Sequence, residues 1–374
     1  MTEGKQGENR GLRRDQVLVV YGQDPKEMTK LLLETVQLEN HIPQGALVGI
    51  KPNLVVAKPA STGATTHPEI VAALVEYLQA HGRNNLLILE GAWVGDSTKK
   101  AFQVCGYEEL SRRYGVPLFD TKGDKTQLLN YGGISMEVCQ KALEVDYLIN
   151  LPVLKGHCQT LVTGALKNLK GCISDREKRH FHTLGLHRPI ACLNKLLHTD
   201  FILGDGICGD LDYEEGGNPV PMHRMFCGLD PVLVDSYIAS CMGYEPRSIE
   251  YIALAEQMGV GHCLSQPGQV VELNQDNSVA KPSPGGKVAR LAKYAAPKES
   301  CSACYANLIQ ALARLDQEGL LEKWKGGPVC IGQGYQGQPG KLGVGRCTAA
   351  MEASQPGCPP TTMQMLAFLR KQLS

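Results

Sequence analysis

An α/β protein with a largely parallel or mixed sheet, helices on both faces and a small C-terminal cysteine-rich α/β domain follows from three features of the sequence. Apolar, β-branched runs alternate with stretches of helical periodicity as far as Asp205. A polar segment dense in turn formers, PGQVVELNQDNSVAKPSPGGK (267–287), then interrupts the pattern. Beyond it lie cysteines whose spacing dictates a chemistry.

The first strand is QVLVVYG (16–22), and the helix after it, DPKEMTKLLLETVQLENH, opens on Asp24 as cap and Pro25 in the first turn. ALVGI (46–50) and NLLILE (85–90) are the next strands, separated by the helix HPEIVAALVEYLQAHG (67–82), which Gly82 closes. A helical stretch runs from Ser97 to Tyr114, followed by the strand VDYLINL (145–151). TLVTGALKNL (160–169) and HRPIACLNKLLHT (187–199) read as helices and DFILGDG (200–206) as a strand. In GLDPVLVDSYIASCMG, Asp230-Pro231 repeats the cap-and-proline signal. Strands joined by helices of this length make a largely parallel sheet covered on both sides. The chain therefore divides into a disordered lead-in (1–15), a body (16–266), a linker (267–287) and a C-terminal domain (288–374). That last part holds a helix (301–324), the short strand PVCIGQG (328–334), a glycine-rich loop (334–345) and a final helix (361–372).

Lys+Arg and Asp+Glu both number 38, so no global basic field draws nucleic acid or an anionic membrane. The N-terminus is polar, and no run reaches the roughly 18 apolar residues of a membrane span. These features point to a cytoplasmic protein whose partners are a small molecule, a redox protein or copies of itself. Fourteen cysteines in such a chain are reduced thiols, some buried and some metal-bound. Cys105, Cys139, Cys192 and Cys241 fall in helical patterns as small apolar residues.

Cys301 and Cys304 open a helical pattern, close to free backbone N–H groups and the positive end of its dipole. Cys347 follows the glycine-rich loop, and Cys358 precedes Pro359. The series is C-x2-C, then forty-two residues, a cysteine, ten residues and a last cysteine. A single 4Fe-4S cluster is the first reading of these four ligands; four-thiolate zinc and scattered buried cysteines are the others. Cys330, inside the apolar strand PVCIG, is set aside as core, and Cys263 as too far upstream.

Ligands of open α/β sheets bind beyond the carboxyl ends of the strands. The polar residues there are Lys51 and Asn53 in IKPNL, Glu90 in LEGAW, Lys155 and His157 in LPVLKGH, and Asp205 in LGDG. Lys167 and Asn168 in TGALKNLKG extend the set, and no P-loop is present. The lysines favour a carboxylate or phosphate, so the ligand is an anionic small molecule bound by Lys51, Asn53, Lys167 and Asn168. Lys155 or His157 then donates protons, and Asp205 orients a ligand. DREKRHFHTLGLH (175–187) reads as a mobile covering loop, and Asp210, Asp212, Glu214 and Glu215 as a solvated acidic loop. His67 opens the second helix as a cap-side residue or a ligand.

The spacing ending in Gly-Cys-Pro-Pro resembles the proximal cluster site of nickel–iron hydrogenase small subunits and their relatives in respiratory complex I, which hold a 4Fe-4S cluster. The body resembles the DUF362 family, often described as iron–sulfur proteins of unknown function. That resemblance rests on VGIKPNLV (48–55), HPEIVAALVEYL (67–78), LINLPVLKGHCQTLVTGALKNLKGC (148–172), GDGI (204–207) and DPVLVDSYIASCMGY (230–244). The ferredoxin-like insert C-x2-C-x2-C-x3-C-P of some relatives is absent here. Together these readings predict a 4Fe-4S redox protein, an oxidoreductase acting on an anionic small molecule. The alternatives are a non-redox lyase, isomerase or metabolite-binding protein with a structural or sensing cluster, and an electron carrier without a substrate.

Overall fold

The computed structural model describes residues 12–274 and 287–373. Most of the predicted lead-in and of the predicted linker lies outside those residues. In the body the strands are β1 (Val17–Tyr21), β2 (Val48–Pro52), β3 (Leu86–Glu90), β4 (Leu118–Asp120), β5 (Thr126–Tyr131), β6 (Ile134–Cys139), β7 (Tyr147–Leu151), β8 (Lys155–His157), β9 (Leu161–Thr163), β10 (Phe201–Asp210), β11 (Pro219–Gly228) and β12 (Val270–Glu272). Eight of them form one sheet in the order β12-β1-β11-β10-β7-β2-β3-β4. All neighbours in it are parallel except β11, which runs antiparallel to both β1 and β10. The sheet is thus mixed, and its edge strand β12 comes from within the segment expected to be linker.

The helices of the body are α1 (Pro25–Val36), α2 (Pro68–Ala80), α3 (Thr98–Val104), α4 (Tyr107–Tyr114), α5 (Gln140–Leu143), α6 (Ala165–Asn168), α7 (Asp175–Thr183), α8 (His187–Leu196), α9 (Pro231–Cys241) and α10 (Glu250–Gln257). The two cap-and-proline signals act as read: Asp24 accepts from Lys26 N and Glu27 N, and Asp230 from Val232 N and Leu233 N. The stretch read as one helix from Ser97 to Tyr114 is two, parted at Gly106, whose φ is 82°. Alternation along β1 sends Val17 and Val19 into one apolar core and Leu18 and Val20 into the other, so each face of the sheet is buried.

The C-terminal region builds a second, four-stranded parallel sheet from β13 (Ala295–Pro297), β14 (Val329–Ile331), β15 (Leu342–Val344) and β16 (Ala353–Gln355), in that order. Helices α11 (Lys287–Ala292), α12 (Ser302–Gln317) and α13 (Thr362–Lys371) complete it. Its own core gathers Leu308, Leu312, Val329, Ile331, Val344 and Leu366, and takes in Tyr213 from the body. Among the described residues no helix is long and apolar enough to cross a membrane.

Candidate functional site: two adjoining cavities

The polar residues at the ends of β2, β3 and β8 are buried in one hydrogen-bonded network. Lys51 Nζ donates to Glu90 Oε2 and to Pro52 O, both at 2.7 Å. The Glu90 carboxylate also accepts from Leu54 N and Gly91 N, so the buried charge is compensated on both oxygens. Asn168 Oδ1 accepts from Asn53 Nδ2 at 2.9 Å, and its Nδ2 donates to Asn150 Oδ1 at 2.7 Å. Lys155 Nζ donates to Asn53 Oδ1, Glu214 O and Ala64 O, three acceptors for the three N–H bonds of an ammonium. Burial nevertheless depresses its pKa to about 7. A side chain at Gly171 would come within 1.8 Å of Glu90 Oε1, which is why the chain there is bare.

Beside this network lies a cavity with about 580 Å³ of free space, partly open to solvent. Asn53, Trp93, Lys167, Asn168, Lys170 and Glu214 line it. Lys167 pairs with Glu214. Burial alone would raise the Glu214 pKa, but the Lys167 ammonium overcomes it and holds it well below the usual range. His157 Nδ1 accepts from the backbone N–H of Gln159 and of Thr160, both at 3.0 Å, which leaves the ring proton on Nε2. That nitrogen lies 3.1 Å from Glu214 Oε2 but out of line for a hydrogen bond. Burial, with Lys167 nearby, pushes the His157 pKa down to about 4, so the ring is neutral.

Lys170 is the cation in the cavity whose ammonium has no hydrogen-bond or ion-pair partner among the described residues. Burial, with Lys167 adding like charge, lowers its pKa to about 7. Lys178 is held by Gly91 O at 3.0 Å and Ala92 O at 2.8 Å. His182 Nε2 lies 3.3 Å from Ser302 Oγ, and burial beside Lys170 keeps its ring neutral.

The structure brings Asn53, Lys167 and Asn168 to the cavity wall, as read from the sequence, but not Lys51, Lys155, His157 or Asp205. The first three stand behind the wall: Lys51 and Lys155 through Asn53 and Glu90, His157 through Glu214. Asp205 is turned elsewhere. Its Oδ2 accepts from His67 N at 2.9 Å and contacts His67 Nδ1 at 2.8 Å, so the carboxylate fastens the start of α2, and His67 is a cap-side residue. Two segments expected to be loose are ordered. The predicted covering loop contains helix α7, capped by Ser174, which delivers Lys178 and His182 inward. The predicted solvated acidic loop buries Asp210, Glu214 and Glu215. Lys170, Lys178, His182 and Glu214 were thus missed as site residues. The one available signal was Lys170, three residues after Lys167 and so on the same face of a helical turn.

The second cavity opens at the carboxyl ends of the small sheet, with about 410 Å³ of free space. Cys301 follows β13, Cys347 follows β15, Cys358 follows β16, and Cys304 lies one turn into α12, which Cys301 caps. All four cysteines line it. Gly345, at a φ of 94°, leaves room that a side chain would take from Cys304 Sγ, 3.3 Å from the position of its Cβ. Cys330 does not line it; on β14 it lies between the buried Val329 and Ile331, pointing to the other face. Among the described residues no three His, Cys, Asp or Glu side chains stand close enough for a single metal ion. The four thiols that line this cavity are soft donors, the kind that hold either a metal ion or an iron–sulfur cluster. Burial, and the mutual repulsion their thiolates would feel, raise the pKa of Cys301 and Cys304 above the ordinary thiol value.

The two cavities share a wall. Val94, Cys301 and Ala303 line both. The body reaches this wall through the loop at residues 93–96, whose Trp93 O and Asp96 O accept from Lys122 Nζ. Gln159 fixes the other side. Its Nε2 donates to Ser300 O and approaches Ser300 Oγ, and its Oε1 accepts from Ser302 Oγ at 3.0 Å, gripping the residues on either side of Cys301.

The profile of the domain of unknown function DUF362 matches residues 48–240, more than half of the chain. The chain belongs to the DUF362 family. The matched span carries the body's whole network, from Lys51 to Glu214, while the four cysteines of the thiol cavity lie beyond it. This DUF362 protein is also similar to a thylakoid-associated protein of Synechocystis sp., 25% identical over 232 residues, covering 59% of this chain and 70% of the relative. Among solved structures it is similar to the lactate racemase apoprotein of Thermoanaerobacterium thermosaccharolyticum, at 17% identity and a TM-score of 0.37, covering 59% of this chain and 56% of that one. A Thermotoga maritima protein matches at 13% identity and a TM-score of 0.36, covering 63% and 60%. The chain thus spans little more than half the length of these two structures.

Proposed function

We propose that this DUF362 protein is an iron–sulfur oxidoreductase, holding one 4Fe-4S cluster on Cys301, Cys304, Cys347 and Cys358 and binding a small anion beside it in the Lys170 cavity. The observation that carries the reading is the shared wall: Cys301 lines both cavities. When bound, such a cluster supplies single electrons at a potential set by its surroundings. The chain's own residues do the rest. Lys170 offers an ammonium with no competing partner, the group an incoming carboxylate or phosphate would desolvate and engage. Lys167 remains tied to Glu214 and keeps the wall in place. The neutral ring of His182, in contact with Ser302, is the nearest imidazole for giving or taking a proton. Lys51, Lys155 and His157 act from behind, fixing Glu90, Asn53 and Glu214.

A second reading, a non-redox isomerase or lyase with a structural cluster, is favoured by the same Lys170 and His182. A lysine with a pKa of about 7 beside a neutral imidazole can move protons without any electron source. Anaerobic purification, iron and sulfide analysis, and EPR with and without dithionite separate the two. The redox reading expects about four irons per chain and a signal that appears on reduction. A cluster that resists reduction supports the isomerase reading. One bound zinc and no iron overturns both.

A further inference from the structure

The four thiols are not equivalent, and the difference gives the site two sides. Cys301 faces the body cavity, whereas Cys358 is exposed to solvent and Cys301, Cys304 and Cys347 are partly covered. Around the outer side stand cations. Arg346, exposed, lines the thiol cavity next to Cys347. Lys298, also exposed, lies along Gly334 with its ammonium 5.7 Å from the centre of the Tyr335 ring. Arg179, half-buried on α7, lies toward the inner thiol instead: its backbone oxygen accepts from Gln333 and its charge is felt at Cys301. The carboxylates near the two exposed cations in the chain are the exposed Glu299, beside Lys298, and the exposed Glu352, six residues after Arg346. Gln336, on the exposed glycine-rich turn, approaches Cys347 Sγ at 3.9 Å.

We infer that this outer face, centred on Cys358 and flanked by Lys298 and Arg346, is where an acidic one-electron carrier protein docks and delivers electrons. The inference rests on the cluster reading above and deepens it by naming the donor class. A complementary acidic surface would be steered to the cations. Bound there, it would lie against the most exposed thiol, while the anion cavity stays free on the opposite side of Cys301. The transfer would move one electron from the carrier, which would be oxidised, to a cluster held by the four cysteines, which would be reduced; no bond would form or break. The cations thus have a task that the buried cavity does not use.

The test uses the full chain purified anaerobically with its iron, and an acidic plant-type 2Fe-2S ferredoxin as the probe. Binding of oxidised ferredoxin is followed by calorimetry, and reoxidation of reduced ferredoxin by stopped flow. We expect binding and rate to fall steeply as salt rises. Both should fall about tenfold or more in Lys298→Glu/Arg346→Glu. Iron content and the dithionite-reduced EPR signal of the variant should match the wild type. Lys298→Glu alone, away from the thiols, should show about a threefold loss if Arg346→Glu disturbs the cysteine loop. Iron-replete variants that bind and oxidise ferredoxin like the wild type would overturn the docking face and leave the cluster reading standing. A wild-type chain without iron would overturn both.

Discussion

The two cavities share a wall but are built in opposite ways. The body cavity is assembled from side chains of the segment after β2, of β3, α6 and the turn after it, of α7 and of the loop before β11, and nearly every charge in it is tied by short hydrogen bonds to a named partner. The thiol cavity is assembled from loops at the ends of one small parallel sheet, and backbone conformation places its sulfurs. A network of the first kind is rigid before a ligand arrives. A site of the second kind gains its rigidity from what it binds, because thiolates gathered together repel until a cation joins them.

The largest effect that can break this contrast is on iron itself. Cys304→Ser and Cys358→Ser should each abolish iron retention after anaerobic purification, while Cys330→Ser should leave the iron count unchanged; the opposite pattern would move the ligand set to β14. Next comes the rigid network. Lys51→Met strands the Glu90 carboxylate in the core, and urea unfolding of the body should show a loss of about 3–5 kcal/mol. A loss below about 1 kcal/mol would mean that the pair is not the keystone its burial implies.

Smaller effects belong to the ligand. Trp93 lines the anion cavity, so its fluorescence, in a Trp324→Phe background, reports binding of small carboxylates and inorganic phosphate. Lys170→Met should weaken that binding roughly 10–100-fold, the worth of one charge-assisted hydrogen bond, with little change in stability. The pH dependence has a definite sign. Lys170, with a pKa of about 7, carries its charge below that pH and loses it above, so affinity for a fully ionised carboxylate should be flat at low pH. It should then fall by up to about tenfold per pH unit above 7. Glu214, held low by Lys167, and His182, held neutral, do not titrate across that range. Affinity that rises with pH would assign the anion to another group.

The sequence declares these two regions unequally, and the reason is distance along the chain. The four cavity cysteines stand out because cysteine near glycine, proline or a helix start is an unusual pattern, and because the sheet whose ends carry them keeps their order. The alternation of strands and helices likewise gives the α/β class, though not the antiparallel β11 or the edge strand β12, whose partners are set by tertiary packing. The anion cavity is harder to read. Lys170, His182 and Glu214 lie on three separate elements, and nothing local distinguishes the buried Glu214 from a solvated acid in an acidic stretch. Lys51 and Lys155 were visible as strand-end lysines, but only the fold shows that they bond inward and leave the wall to Lys167 and Lys170. Asp205 had the position expected of a ligand-orienting carboxylate; the hydrogen bonds to His67 decide otherwise.

The thiol site and the body cavity meet at Cys301, and Lys170 stands on the body-cavity side with its charge felt at Cys301. The most direct measurement is an anaerobic redox titration of the iron–sulfur signal at pH 6.5 in the wild type and in Lys170→Met. With the ammonium beside Cys301 removed, the reduced, more negative state loses stabilisation, so the midpoint potential should become more negative in the variant. An unchanged potential, with iron content equal in both proteins, would mean that Lys170 does not act on the iron–sulfur site.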